Sequence, residues 1–300
     1  MKSVTLYSLV LFLIFWNSTS YAQKTFVVET QYLVKADTSY IFYPKQKQTL
    51  FEQNTAVIIM LHGYGGDYKQ WSKITDLQSY ANKYNCIIVC PDGGKDSWYF
   101  DSPRQRNSKF ESFFIKDYLP YLKSNFSIDT NGIFITGLSM GGHGAMYLFL
   151  RHPKLFASAG STSGVLDLNA SGLKYSSLSN RLGEYNDNKA IFDLYSSINL
   201  LESIKFSDKP IIFDCGNKDH LYNSNKAFKD RCDSLYINAT YFSFPGRHDR
   251  KYWKESIAWH FEFFNNVYLK ELKIRNKELR MGNSSVPDSY RESDLRRETK

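Results

Sequence analysis

The residues Gly137-Leu138-Ser139-Met140-Gly141 match the pattern G-x-S-x-G, which is typical of a sharp turn that lifts a serine nucleophile above a sheet. The segment before them, 133–136, is short, apolar and β-rich, and it predicts a buried strand. The segment after them, 142–150, predicts a helix that stops before a proline. Strand, turn and helix are the setting that such a nucleophile requires. The alternative is a glycine-rich turn whose serine only caps the helix.

A serine hydroxyl becomes a strong nucleophile only beside a base, and the base needs an orienting carboxylate. Five histidines follow Ser139 in the chain. Three of them lie on predicted helices, from which they cannot serve the turn: His143, His152 and His260. His248 follows a predicted strand and a Pro-Gly turn, so it lies at the carboxyl edge of the sheet, where catalytic groups gather. We predict His248 as the base, the alternative being a surface loop histidine.

The orienting acid is predicted to be Asp219, which lies just beyond another predicted strand and therefore at the same sheet edge. Asp214 is the rival, but it lies within that strand. Asp249 adjoins His248 and would point away from it. His220 is expected to shape the loop.

Acyl-transfer chemistry also needs two N–H donors that hold the oxyanion of the tetrahedral intermediate. The backbone amide of Met140, directly after the nucleophile, is predicted to be one donor. The amide of Tyr64, in the loop His62-Gly63-Tyr64-Gly65-Gly66, is predicted to be the other. A phosphate-binding loop is the alternative, but this segment lacks both the G-K-[ST] ending and the GxGxxG spacing.

These residues are distributed over strands that alternate with helical stretches, a pattern that predicts an α/β fold with a mostly parallel sheet and helices on both faces. Two early strands are expected to pair at the sheet edge, at 26–34 and 39–43. A closing helix is predicted over 253–272. The segment 164–209 lacks strong periodicity and is interpreted as an insertion over the site. Residues 273–300 are polar and are predicted to form a disordered tail.

The first 22 residues are predicted to be a signal peptide that precedes a catalytic domain at 23–272. The apolar run Val4–Trp16 has 13 residues, fewer than the ~20 that a spanning helix needs. Small residues at Ser20 and Ala22 predict cleavage after Ala22. The sequence therefore predicts a secreted or periplasmic protein with no stable membrane insertion.

The composition limits the classes of partner and cofactor that the sequence predicts. The net charge of +8 is spread along the chain with acidic residues between the basic ones, so no nucleic-acid role is expected. The four cysteines lack zinc spacing, and no metal or other cofactor is expected. Cys215 and Cys232 could form a disulfide, but four buried thiols are an equal alternative. The oligomeric state is left open by the sequence.

Several motifs occur in an order that resembles the esterase D-like branch of the α/β-hydrolases, from about Val57 to Trp259. They are Leu61-His62-Gly63-Tyr64-Gly65-Gly66, Pro91-Asp92-Gly93-Gly94, Ser97-Trp98-Tyr99, Asp101-Ser102-Pro103, Gly137 to Gly142, Gly216-Asn217-Lys218-Asp219 and Pro245-Gly246-Arg247-His248-Asp249. The resemblance implies the α/β-hydrolase fold and the triad of Ser139, Asp219 and His248. It also implies that Trp98 and Tyr99 form a wall of the substrate pocket, although from the sequence they could equally be core residues. The chain departs from many relatives at Arg250, where they carry an aromatic residue.

The branch includes tributyrin, acetyl-xylan and feruloyl esterases, S-formylglutathione hydrolases and mycolyltransferase-type proteins. The resemblance implies a serine esterase that works through an acyl-enzyme, and export argues against a cytosolic formylglutathione hydrolase. Short-chain acyl esters or carbohydrate-linked acetyl and feruloyl esters are the expected substrates. Two alternatives remain: an acyltransferase with a sugar hydroxyl as acceptor, and a catalytically silent hydrolase fold that serves as a binding protein.

Overall fold

The fold is described from a computed structural model, which covers residues 24–45, 55–169 and 176–284. The predicted signal peptide and its cleavage site lie outside these residues, as do residues 285–300 of the predicted tail. Within the described part of the chain, no helix is both long enough and apolar enough to cross a membrane.

One eight-stranded sheet forms the centre of the protein, with the strand order β1-β2-β4-β3-β5-β6-β7-β8. β1 and β2 form an antiparallel pair at one edge, β2 is antiparallel to β4, and the other neighbours are parallel. This confirms the predicted mostly parallel sheet. The strands are β1 Lys24–Val28, β2 Asp37–Phe42, β3 Thr55–Leu61, β4 Ile87–Pro91, β5 Ile128–Gly137, β6 Ser158–Thr162, β7 Ile211–Asp214 and β8 Ala239–Phe242.

Helices cover both faces of the sheet. They are α1 Leu77–Tyr84, α2 Phe110–Phe113, α3 Leu119–Asn125, α4 Met140–Arg151, α5 Ser176–Leu182, α6 Lys189–Tyr195, α7 Tyr222–Ser234 and α8 Arg250–Ser284. A π-helical turn, Phe114–Tyr118, joins α2 to α3, and short 3-10 helices form at Trp71–Lys73, Pro153–Leu155, Tyr185–Asp187 and Ser197–Ile204. Side chains from α4 and α7 pack on one face, and side chains from α1 and α8 pack on the other.

The central strands are buried on both faces, which explains their continuous apolar sequences. In β5, Ile133 and Ile135 join the core on the α4 side, whereas Phe134 joins the core on the α8 side. The parallel register also fixes the site. Leu61 pairs with Gly137, and Thr162 pairs with Asp214, so the carboxyl ends of β3, β5, β6 and β7 lie along one edge of the sheet.

Two predicted boundaries were wrong. The first strand ends at Val28 because Val28 pairs with Asp37, and residues 29–36 make the connection between the two antiparallel strands. The last helix does not end at residue 272 but continues to Ser284, so residues 273–284 are helical and not a disordered tail. Half of the residues in this stretch are Glu, Leu, Lys or Arg, which are strong helix formers. Arg275 also anchors it to Asp129, with 2.5 Å between Nη2 and Oδ2.

The predicted insertion contains two α-helices and two 3-10 helices in its described residues, 164–169 and 176–209. Its Arg181 side chain forms an ion pair with Asp96, 2.7 Å from Nη2 to Oδ1. Val165 N–H approaches the carbonyl of Ser139 at 3.4 Å. Coverage of the site by this segment stays a prediction. All four cysteines are buried free thiols, so Cys215 and Cys232 are not joined by a disulfide.

Candidate active site

The turn between β5 and α4 holds Ser139 in a strained conformation, with φ 54° and ψ −117°. Neighbouring backbone packs so closely that side chains are excluded. A Cβ on Gly137 would lie 2.3 Å from the carbonyl oxygen of Gly141, and a Cβ on Gly141 would lie 2.3 Å from that of Leu61. The Ser139 N–H donates to Thr162 O at 3.0 Å, which ties the turn to β6. The predicted strand–turn–helix setting is therefore present.

The structure brings the three predicted triad residues together. His248 Nε2 lies 2.9 Å from Ser139 Oγ, and His248 Nδ1 lies 2.9 Å from Asp219 Oδ2. These side chains come from positions 139, 219 and 248, on the turns after β5, β7 and β8, and they meet because the three strands are parallel. A hydroxyl, an imidazole and a carboxylate in this order can deprotonate the serine and hold the resulting imidazolium.

Asp219 is well suited to stay ionised. Its side chain is fully buried, and burial by itself disfavours the charge. The hydrogen bond and positive charge offered by His248 and the N–H of Leu221, 2.9 Å from Oδ1, outweigh that effect and hold the pKa of the carboxyl below its ordinary value. The carboxylate can therefore orient His248 at neutral pH.

The rival acids are used elsewhere. Asp214 is buried beneath the site, where its Oδ2 lies 2.7 Å from His260 Nε2 and its Oδ1 accepts from Thr162 Oγ1 at 2.8 Å. Asp249 accepts the N–H of Tyr252 at 3.0 Å and so caps the start of α8. His260 is thus explained as the partner of Asp214.

The glycine loop after β3 passes directly beside the nucleophile, since a Cβ on Gly63 would lie 3.5 Å from Ser139 Cβ. Three of its amides donate to protein acceptors: Gly63 to Gln70 Oε1 at 2.7 Å, Gly65 to Lys95 O at 2.7 Å and Gly66 to Gly63 O at 3.0 Å. They are therefore unsuited to bind an oxyanion. Met140 is the first residue of α4. The amides of Tyr64 and Met140 stay the predicted donors.

The sequence did not reveal the scaffold of this loop, which centres on the buried His62. Its Nδ1 lies 2.8 Å from Gly63 O, and its Nε2 bonds the carbonyl of Asp92. The next turn is held in place by Asp37, whose carboxylate accepts the N–H groups of Asp92 at 3.3 Å and Gly93 at 2.9 Å. Burial lowers the pKa of His62, although the two backbone contacts of its ring oppose that effect. The Pro-Asp-Gly-Gly turn was the only sequence signal for this arrangement.

Trp98 and Tyr99 do not form a pocket wall, because both side chains are buried, with 1% and 0% of their surface exposed. Tyr99 donates its hydroxyl to the carbonyl of His62 at 2.9 Å, and the ring of Trp98 meets that of His143 edge-on at 5.9 Å. The core alternative is therefore correct, and Tyr99 supports the glycine loop through this hydrogen bond.

A group of three candidate metal ligands overlaps the triad. Asp219, His220 and His248 each offer one donor atom, and these atoms lie within 4.8 Å of one another. His220 Nδ1 lies 3.3 Å from Asp219 Oδ1. His220, which is predicted to shape the loop, therefore also contacts the carboxylate of Asp219.

Comparison with known proteins places this geometry in a family. Residues 33–264 match the family described as "Putative esterase". The chain belongs to this esterase family. The match spans most of the chain, and with it the predicted class of enzyme, a serine esterase, is confirmed.

Two sequence relatives of this esterase differ in reaction. An acetyl esterase of Caldicellulosiruptor saccharolyticus is 26% identical over 74% of this chain and 88% of its own length. The diacylglycerol acyltransferase/mycolyltransferase Ag85A of Mycobacterium gordonae is 32% identical, but the match covers only 38% of this chain and 36% of that protein.

Solved structures share the fold. A fluorophosphonate-binding serine hydrolase of Staphylococcus aureus superposes with a TM-score of 0.70 at 20% identity, over 81% of this esterase and 98% of that chain. A ferulic acid esterase superposes with the same TM-score at 21% identity, over 81% and 97%. These neighbours confirm the predicted α/β-hydrolase fold.

Proposed function

We propose that this esterase is exported and hydrolyses short-chain acyl esters or carbohydrate-linked acetyl and feruloyl esters through an acyl-enzyme. One observation carries the proposal: the continuous relay from Ser139 Oγ through His248 to Asp219, with both heavy-atom distances at 2.9 Å. Such a relay is the arrangement that activates a serine for attack on an ester carbonyl.

In the proposed mechanism, His248 Nε2 accepts the proton of Ser139 as Oγ attacks the carbonyl carbon. Asp219 stabilises the imidazolium through Nδ1. The amides of Met140 and Tyr64 bind the oxyanion, and His248 then donates its proton to the departing alcohol. Water, activated by the same histidine, attacks the acyl-enzyme and releases the acid. The chemistry needs no group beyond these side chains and amides.

The substrate class is supported by the relatives and the amino terminus. The matched acetyl esterase covers most of this chain and acts on acetyl esters by its name. The predicted signal peptide, residues 1–22, would deliver the enzyme to esters outside the cytoplasm. Export is tested by expressing the full chain and sequencing the amino terminus of the exported protein, which is expected to begin at Gln23.

Transfer to a sugar hydroxyl is the second candidate, favoured by the partial match to the Ag85A acyltransferase. The same acyl-enzyme would be attacked by an acceptor alcohol in place of water. Product analysis with and without acceptor sugars separates the two reactions. A silent binding protein is disfavoured by the intact relay, and covalent labelling of Ser139 by a fluorophosphonate would exclude it.

The hydrolase assignment is tested with p-nitrophenyl acetate and butyrate, methyl ferulate and acetylated xylan. Wild type is expected to hydrolyse at least one of these esters, and Ser139→Ala is expected to be inactive. Ser161→Ala is the matched control, because Ser161 is the next-to-last residue of β6 and its buried hydroxyl has no hydrogen-bond partner among the described residues. Equal rates for wild type and Ser139→Ala would refute the proposal.

A further inference from the structure

The His220 side chain lies against the relay, yet the proposed mechanism does not use it. Its Nδ1 is 3.3 Å from Asp219 Oδ1, and its ring meets the ring of His248 edge-on at a centroid distance of 4.7 Å. Asp219 thus contacts one imidazole with each carboxylate oxygen: His248 through Oδ2 and His220 through Oδ1. The three side chains form a compact set of one oxygen and two nitrogen donors.

This donor set has the chemistry and spacing of a transition-metal site. Zinc prefers imidazole nitrogen and carboxylate oxygen in tetrahedral geometry, and bonds of about 2.0–2.1 Å place neighbouring donor atoms roughly 3.3 Å apart. Asp219 Oδ1 and His220 Nδ1 already have this spacing at 3.3 Å, whereas His248 Nδ1 contacts the other carboxylate oxygen at 2.9 Å. One donor atom from each residue lies within 4.8 Å of the other two, so the side chains have to close around the cation. We propose that Asp219, His220 and His248 bind a divalent transition-metal cation such as Zn²⁺, and that the bound cation inhibits the esterase.

Inhibition follows from competition with a proton. In the relay, His248 Nδ1 carries the hydrogen that is donated to Asp219, and a cation bound to this nitrogen takes its place. The ring binds the cation as a neutral imidazole, so its single hydrogen moves from Nδ1 to Nε2 and no net proton is released. Nε2 then carries a hydrogen in place of a free lone pair, so His248 no longer accepts the proton of Ser139.

The site can be reached from solvent on the His220 side. The side chain of His220 is 54% exposed and that of His248 is 22% exposed, while the Asp219 side chain is fully buried. Three protein ligands leave the fourth tetrahedral position to water. The exposed Lys218 lies next to Asp219 in the chain and contributes no metal-binding atom, which makes it a suitable control position.

Binding is measured by calorimetric titration with Zn²⁺ and by the visible absorption of bound Co²⁺. Wild type and Ser139→Ala are expected to bind one cation each, because Ser139 is not a ligand. His220→Gln is expected to bind on the order of tenfold more weakly or worse, since loss of even an outer-shell partner costs 10–100-fold. Lys218→Gln is expected to bind at least as tightly as wild type. Zinc binding to His220→Gln that equals wild type would overturn the site.

The inhibitory consequence rests on the proposed function, whereas binding does not. For each variant, the rate on p-nitrophenyl acetate is compared with Zn²⁺ and after removal of the metal by EDTA. Wild type and Lys218→Gln are expected to be inhibited reversibly, and His220→Gln is expected to resist the same zinc concentration. Equal inhibition of wild type and His220→Gln would overturn the proposal. If metal-free wild type has no esterase activity, the proposed function fails, and calorimetry still decides the metal site.

Discussion

The assignment of Asp219 as the orienting acid can be tested against its rival in the same strand–loop segment. The perturbation is Asp219→Asn, and Asp214→Asn, five residues earlier, is the matched control. Both carboxylates are buried and both contact an imidazole: Asp219 contacts His248 at 2.9 Å and Asp214 contacts His260 at 2.7 Å. Only the first imidazole reaches Ser139, so the same chemical change is expected to have different consequences at the two positions.

The expected loss at Asp219 follows from the charge that forms during the reaction. Opposite unit charges ~4 Å apart attract by about 4 kcal/mol at an effective dielectric constant near 20. That energy corresponds to about a thousandfold in rate. An asparagine also favours the wrong tautomer of His248, and the equivalent change in other serine triads costs about 10⁴-fold in kcat. We therefore expect kcat to fall by about 10³- to 10⁴-fold.

The control variant, Asp214→Asn, is expected to lower stability and to leave catalysis nearly unchanged. Leaving a buried hydrogen-bonding group without its partner typically costs about 1–3 kcal/mol, and at Asp214 this cost includes the hydrogen bond from Thr162. Asp214→Asn is expected to lower the free energy of unfolding by about this amount, while the molecules that remain folded keep kcat within about tenfold of wild type, since neither Asp214 nor His260 touches the relay.

The assay combines steady-state hydrolysis of p-nitrophenyl acetate with urea unfolding, and the rate is expressed per folded molecule. Near-ultraviolet circular dichroism checks the fold of each variant. If Asp219→Asn kept kcat within tenfold of wild type, or if well-folded Asp214→Asn were the inactive variant, the acid would have been assigned to the wrong residue.

Three further predictions concern the surroundings of the relay. Gln70→Met removes the side-chain oxygen that accepts the Gly63 N–H. Because an unpaired buried N–H costs about 1–3 kcal/mol, the glycine loop should shift. We expect kcat to fall roughly tenfold with little change in KM. Gly141→Ala places a Cβ 2.3 Å from Leu61 O, and soluble expression should yield little folded protein. Burial lowers the pKa of His143 from 6.5 to about 3. As the pH falls from 6.5 toward 3, this histidine takes up a proton in the unfolded chain but not in the folded protein, so the free energy of unfolding decreases. Urea unfolding of His143→Met should therefore depend less on pH in that window.

The nucleophile and its base were predictable because their signals are local. The G-x-S-x-G turn identifies Ser139, and the turn after β8 places His248 at the edge where parallel strands end. Once the sheet is parallel, the carboxyl ends of β5 and β7 must lie along one edge. Residues that follow those strand ends, such as Asp219, therefore lie near Ser139 and His248 even though they are far apart in the chain.

The scaffold of the glycine loop could not be predicted in this way. Asp37 begins β2, and its partners at Asp92 and Gly93 follow β4; only the antiparallel pairing of these strands brings them together. Burial raises the pKa of Asp37 to about 7, a consequence of tertiary packing that the sequence around it does not show. The aromatic pair Trp98 and Tyr99 was misassigned for the same reason, because an aromatic residue in a loop has the same sequence signature in a pocket or in a core.

The strained backbone of Ser139 is held in place by both the local sequence and the tertiary packing. Holding a serine at φ 54° costs about 1–3 kcal/mol, which the turn alone cannot recover. The hydrogen bond to Thr162 and the close contact of Gly141 with Leu61 hold the turn between β6 and β3. The glycines of the motif are therefore the part of this arrangement that the sequence shows. The other part is the parallel register, which sets two neighbouring strand ends against the turn and fixes Oγ at hydrogen-bond distance from His248.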